Sequence, residues 1–241
     1  MQTGPESANY TAPWHYDQLC KESPQQSIGG GLIPPGSQQL VVVTTDGWDA
    51  STGSMQRLER SLGGEWEPVD SPVVVNVGRN GLAWGRGLHP FPGLNVHQNN
   101  GECSTLPPPP KQEGDGRAPA GLFKLGSTHF KPGASTLEAS TLLRLGAKPV
   151  NASLYCEDRS ELEKYNELVT LTDMERADCE KIGRCPETMY REDVAYDSLV
   201  WVEHNKDKTP GAGSCIFLHV EKGVGMPTAG CTSAPRNDLA Q

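Results

Sequence analysis

The stretch "SCIFLHVEKGVGMPTAGCTSAP", residues 214–235, decides how the rest of the chain is read. Ser214–Val220 has the composition of a strand, and period 2 sets its faces. Cys215, Phe217 and His219 share one side; Ile216, Leu218 and Val220 share the other, which is apolar and expected to meet the core. A Gly-rich loop follows and delivers Cys231, twelve residues after His219, on a tight turn. The next residues are expected to begin a helix, with Ser233 as N-cap and Pro235 in the first turn. A thiol just before a helix N-terminus lies near partial positive charge, which favours thiolate. A histidine within hydrogen-bond reach would serve as its base. Taken alone, these residues leave two readings open: a nucleophile with its base, or a core histidine and a structural thiol. Cys215 lies on the His219 face, so a Cys215–Cys231 bond, which would silence such a nucleophile, also stays open.

Working outward, strand signals dominate. "QLVVVTT" at 39–45 is a β-branched run. In "SPVVVNVGRNGLAWGRG", residues 71–87, two strand-like runs flank Asn80-Gly81, which predicts a hairpin closed by a type I′ turn. Residues 104–121 form a Pro/Gly-rich connection, and the four prolines Pro107–Pro110 favour extended polyproline geometry. "GLFKLG" at 121–126 and "DSLVWVEHN" at 197–205 are further strands. The best helical pattern runs from Ser160 to Gly183, with a partial apolar stripe and a capping box of Ser160 with Glu163. The expected fold class is mainly β with an α insertion. An irregular leader is expected over 1–37 and one domain over 38–241, carrying an acidic helical insertion at about 157–193.

Composition narrows the function. The 241 residues carry a formal net charge of −9, which argues against nucleic acid, whose phosphates need a basic patch. Residues 157–193 hold 12 acidic and 6 basic side chains, so most of that charge is local. No stretch is long and apolar enough to span a bilayer, and membrane anchoring is not evident. The first twenty residues have neither a basic start nor an apolar core, so no signal peptide is read there. Seven cysteines lean weakly toward an oxidising compartment. Cys179 and Cys185 are close enough for a short loop disulfide, and the absence of C-x-x-C argues against a zinc ribbon. The remaining histidines lack ligand spacing, so neither metal nor cofactor is expected.

"GSCIFLHV" followed by "PTAGC" resembles the active-site signature of the L,D-transpeptidase catalytic domain, the YkuD-like family. The family pattern is a histidine ending a strand, a Gly-rich loop, then Ser or Thr, any residue, Gly and Cys. Here these are His219, Thr228, Ala229, Gly230 and Cys231. "EGDGRAPAGLFKLG" is similar to the family's Thr-Pro-x-Gly-x-Phe segment, with Pro119, Gly121 and Phe123 matching and Ala118 where threonine is common. The resemblance spans about residues 39–235. It implies a YkuD-like sandwich or barrel-like β domain that acts on peptidoglycan stem peptides through a thioester at Cys231. It implies His219 as general base, and backbone N–H groups of Gly230 and Cys231 as candidates for an oxyanion hole. Transfer to an amine gives a 3→3 cross-link; water as acceptor makes a carboxypeptidase. Some similar proteins act as amidases on cross-links, and a silent wall-binding module is the alternative from another class. Thr228, Arg117, Tyr196 and His204 are candidate substrate contacts. The expected protein is a monomer working in the periplasm or outside the cell, exported by a leader outside this sequence.

Overall fold

The computed structural model describes residues 33–89, 109–134 and 137–239. The expected leader lies outside these residues up to residue 32. Fourteen strands occur in chain order among the described residues. The first five are β1 (Gln39–Thr45), β2 (Thr52–Glu59), β3 (Glu67–Pro68), β4 (Val73–Asn76) and β5 (Leu82–Trp84). Next come β6 (Ala118–Ala120), β7 (Leu125–Phe130), β8 (Lys148–Pro149), β9 (Leu154–Cys156) and β10 (Leu168–Thr170). The last four are β11 (Glu187–Thr188), β12 (Ser198–Val202), β13 (Phe217–Val220) and β14 (Thr232–Ala234). Helices α1 (Ala139–Arg144), α2 (Asp173–Ile182) and α3 (Arg236–Leu239) are short. The chain is therefore mainly β.

One mixed sheet of nine strands carries the fold, in the order β1-β2-β4-β14-β13-β12-β7-β8, with β3 branching from β2. Its centre is the stretch read first. β13 runs parallel to β14 and antiparallel to β12, and all four of its residues are buried. Phe217 packs with Tyr196, Leu199 and Met189 in one cluster, while Leu218 joins Met55, Val75 and Ala234 in another. Both faces of the strand are thus covered, not the apolar one alone. A central strand buried on two sides has no solvated face to hold a polar alternation.

Two expected strands are shorter than read: the one at 121–126 starts only at Leu125, and the one from Ser214 only at Phe217, after Cys215 at φ 55°. Three further local expectations fail, each for a tertiary reason. The expected type I′ turn centred on Asn80-Gly81 is not formed: Gly81 N–H donates to the Gly78 carbonyl at 2.8 Å, a turn with Arg79-Asn80 at its centre, only Gly81 has positive φ, and no hairpin is closed. β4 pairs with β2 and β14, while β5 pairs in parallel with β6. Leu82 N–H donates to the Trp48 carbonyl at 2.7 Å, and a β-carbon on Gly81 would lie 2.0 Å from that oxygen. The chain is drawn against the β1–β2 connection instead of folding back on β4.

The long helix expected from Ser160 is also absent; only Asp173–Ile182 is helical. Its capping box is Thr172 with Glu175, and Gly183 ends it at φ 67°. Upstream, Asn166 sits at φ 58° and breaks any helix there. Its side chain donates to the His204 and Asn205 carbonyls and accepts from Cys215 N–H, at 2.8 to 2.9 Å. Val169 and Thr170 then pair with β9. The insertion is a three-stranded sheet, β10-β9-β11, with one helix, not a helical element alone.

After Cys231 the chain enters β14, and the helix begins only at Arg236, so Ser233 is a buried strand residue and not an N-cap. Among the described residues no helix is long and apolar enough to cross a membrane.

Candidate active site

The strand pair sets the chemistry in place. β13 and β14 are in register at Leu218–Thr232 and His219–Ser233. One step earlier stand Phe217 and Cys231, where Phe217 N–H donates to Cys231 Sγ at 3.3 Å. The thiol in turn donates to the Cys215 carbonyl at 3.5 Å. Cys231 is a free thiol, because Cys215 is bonded to Cys156 and not to Cys231. The Cys179–Cys185 bond is present as expected.

His219 and Cys231 line one cleft of about 530 Å³, with Gly230, Thr228 and Tyr196 also in its wall. His219 Nδ1 lies 2.8 Å from the Val220 carbonyl oxygen. A carbonyl only accepts, so Nδ1 carries the proton and Nε2 keeps its lone pair. The Tyr196 ring stands edge-on to the imidazole, with centroids 5.4 Å apart, and fixes its plane.

Burial makes this a neutral pair at rest. Desolvation lowers the His219 pKa to about 4, with Lys222 and Arg191 adding to the fall and the Val220 bond opposing it. Desolvation first, then the Glu187 carboxylate, raises the Cys231 thiol to about 12, against the Phe217 N–H and Lys111. The helix-terminus effect expected from sequence is missing, since a strand follows Cys231. A free thiol and an imidazole with an unprotonated Nε2 in one cleft are the two parts that general-base activation requires.

The turn that presents Cys231 is held by Thr228. Its hydroxyl accepts from Gly230 N–H at 3.1 Å and donates to the Cys231 carbonyl at 2.6 Å. Thr228 is thus a positioning residue whose hydroxyl is already engaged, not a free substrate contact. The same bond occupies the Gly230 N–H, which removes it from the expected oxyanion pair. The Cys231 N–H meets no acceptor among the described residues. Gly230 itself is needed for its backbone, at φ 155°.

Of the other candidates, Tyr196 lines the cleft but gives its hydroxyl to Glu187 at 2.6 Å. Burial beside the carboxylate raises its phenol well above the ordinary value. Arg117 and His204 do not line the cleft. Arg117 donates to the Leu82 carbonyl at 2.9 Å and pairs with Asp49 at 2.9 Å, so it braces the β5–β6 region. His204 is 1% exposed, accepts from Arg86 N–H at 3.1 Å and donates to the Ala212 carbonyl at 2.9 Å. It is a satisfied core histidine, with its pKa lowered by burial to about 4.

The sequence reading missed the rest of the cleft lining. Glu187, Arg191 and Asp158 come from the insertion, and Lys111 and Glu113 from the loop before β6. Arg191 pairs with Asp193, which also holds Lys222. The local excess of charge in 157–193 hinted at Asp158, Glu187, Arg191 and Asp193, and nothing hinted at Lys111, Glu113 or Lys222. Among the described residues, no group of three or more His, Cys, Asp or Glu side chains is placed to hold a metal ion. Set against protein-family models, curated proteins and solved structures, the chain matches none.

Proposed function

We propose that this chain is a cysteine acyltransferase of the L,D-transpeptidase type, with a YkuD-like fold, acting on peptidoglycan stem peptides. One observation carries the reading: a free thiol and a histidine with a bare Nε2 share the wall of one cleft, at the ends of adjacent parallel strands. The signature Thr228-Ala229-Gly230-Cys231 after His219 supplies the substrate class.

In this mechanism the donor stem enters with the carbonyl of its third residue, diaminopimelate, at Cys231. The thiol proton passes to His219 Nε2 as sulfur bonds to the carbonyl carbon and the π pair moves onto oxygen. The Cys231 N–H is the backbone donor left for that oxygen, and one such donor is worth roughly 3 kcal/mol. The C=O bond reforms, the bond to terminal D-alanine breaks, and His219 returns its proton to the leaving amine. The amine of a second stem then attacks the thioester and forms a 3→3 cross-link. Water in its place makes the protein an L,D-carboxypeptidase, and attack on an existing cross-link makes it an amidase. The two disulfides among the described residues are compatible with an extracellular location, and we place the activity in the periplasm or outside the cell.

The test is to trap the acyl-enzyme. Wild type and Cys231→Ala are mixed with a diaminopimelate tetrapeptide, quenched in acid and weighed intact. A hydroxylamine-sensitive adduct on the wild type alone is expected. A wild type that binds the tetrapeptide and never gains mass is a wall-binding module.

A further inference from the structure

Lys111 stands in the cleft without a part in the chemistry described so far. Its side chain is only 4% exposed, an unusual position for an ammonium, which is expensive to bury without partners. Nζ donates to Asp115 Oδ1 at 2.5 Å and to the Gln112 carbonyl at 2.8 Å. An ammonium has three donors, and the third has no acceptor among the described residues. Asp115 is fixed in turn, accepting from Gln112 N–H and Arg117 N–H at 2.8 Å each. The loop thus holds one cation in one place. That place is beside the nucleophile: a β-carbon on Gly230 would lie 3.7 Å from Nζ, and Gly230 is the residue before Cys231. Both Lys111 and Cys231 line the cleft.

We infer that Lys111 is a catalytic cation, whose ammonium stabilises the negative charge that develops at Cys231 and on the oxygen of the carbonyl it attacks. The role fits what the site otherwise lacks. The Gly230 N–H is spent on Thr228, which leaves Cys231 N–H as the sole member of the expected backbone pair. Burial opposes negative charge at the thiol, and Glu187, which lines the same cleft, opposes it further. As the thiol proton moves to His219 Nε2 and sulfur bonds to carbon, one negative charge passes from sulfur to oxygen. A preorganised ammonium in a desolvated cleft stabilises both stages, because its position is set before the reaction begins. The ammonium keeps its own proton throughout, and the charge on oxygen returns to the C=O bond when the leaving group departs.

The sulfur half of this inference stands without the acyl-transfer reading; the carbonyl half rests on it. The experiment separates the two. Iodoacetamide alkylation of Cys231 is followed at pH 8 by intact mass in wild type, Lys111→Met, Lys111→Arg and Asp115→Asn. Loss of the cation is expected to slow alkylation about tenfold, the effect of one pKa unit from a nearby opposite charge. Lys111→Arg should recover most of the rate, and Asp115→Asn, which removes the counter-charge and keeps the lysine, should raise it. A folded Lys111→Met that alkylates at the wild-type rate overturns the inference, as do equal losses in Met and Arg. If the Met variant does not fold, an Asp115→Asn rate at or below wild type overturns it instead. With tetrapeptide, Lys111→Met should lower kcat more than it raises KM. Slowed alkylation with no turnover in any variant upholds the lysine and removes the acyl-transfer reading.

Discussion

The two walls of the cleft are built by opposite means. Strands β13 and β14 form the wall that carries His219 and Cys231 from continuous sheet, buried on both faces, with neighbours already paired on either side. Much of the remaining lining comes from the insertion between β8 and β12, whose own sheet has three short strands. Discrete fasteners attach it. The Cys156–Cys215 disulfide joins β9 to the residue two before β13, and Asn166 ties the insertion to Cys215, His204 and Asn205. Cys215, at φ 55°, is where both fasteners meet the segment that leads into β13. A sheet gains stability from many cooperative contacts, whereas a fastened lobe concentrates it in a few residues. The first wall should therefore fail through chemistry and the second through loss of attachment.

The largest effect belongs to the sheet wall. His219→Gln keeps a polar side chain of similar length but has no basic nitrogen, and thioester formation should fall by about a thousandfold, within the range for a lost general base. Stopped-time mass spectrometry reads the rate, and an unchanged rate removes His219 from the chemistry.

Next comes the main fastener. The Cys156–Cys215 bond closes a loop with a sequence separation of 59, against 6 for Cys179–Cys185. Chain entropy gives about 4 kcal/mol for the first and about 2 kcal/mol for the second. Urea unfolding of the paired Cys→Ser variants should reproduce that order. Equal losses would mean that the lobe does not depend on its long-range tie.

Acid sharpens the contrast between buried histidines and the carboxylates facing them. His219 and His204 have folded pKa values of about 4 against 6.5 in the unfolded chain. The unfolded state binds more protons below 6.5, so their stabilisation is complete above that pH and is lost as pH falls toward 4. Each contributes about 3 kcal/mol to the slope. Burial raises the Asp158 and Glu187 carboxyls, which works the other way, so the readout is a difference. Between pH 7 and pH 4.5, His219→Gln should lose less stability than wild type in urea. An identical loss contradicts the assigned burial cost.

The smallest effect lies far from the nucleophile. Thr172→Ala removes the capping box of α2 and should cost about 1 kcal/mol, with thioester formation unchanged. Coupling to the rate would show that the lobe's helix helps shape the cleft.

The same division governs what the sequence revealed. β1 and β12 follow their β-branched runs, because strand signals in a sheet protein are local and period 2 is short. His219 and Cys231 were legible because the signature lies within one continuous stretch. The insertion was misread as a long helix because Asn166 is fixed by His204, Asn205 and Cys215, some 40 to 50 residues away in sequence, and Val169 by its β9 partner Tyr155, which no local pattern records. Lys111 was missed for the same reason: its loop precedes Cys231 by more than a hundred residues. Arg117 and His204 were plausible by type and proximity in sequence, yet the fold uses both as braces.

The most direct test of the central claim uses purified disaccharide tetrapeptides containing diaminopimelate, incubated with wild type and with Cys231→Ser, and products read by mass. A dimer that has lost one terminal alanine, formed by the wild type alone, is the result this account predicts. Products that appear equally with Cys231→Ser, or no product from a folded wild type with either single or cross-linked stems, would contradict it.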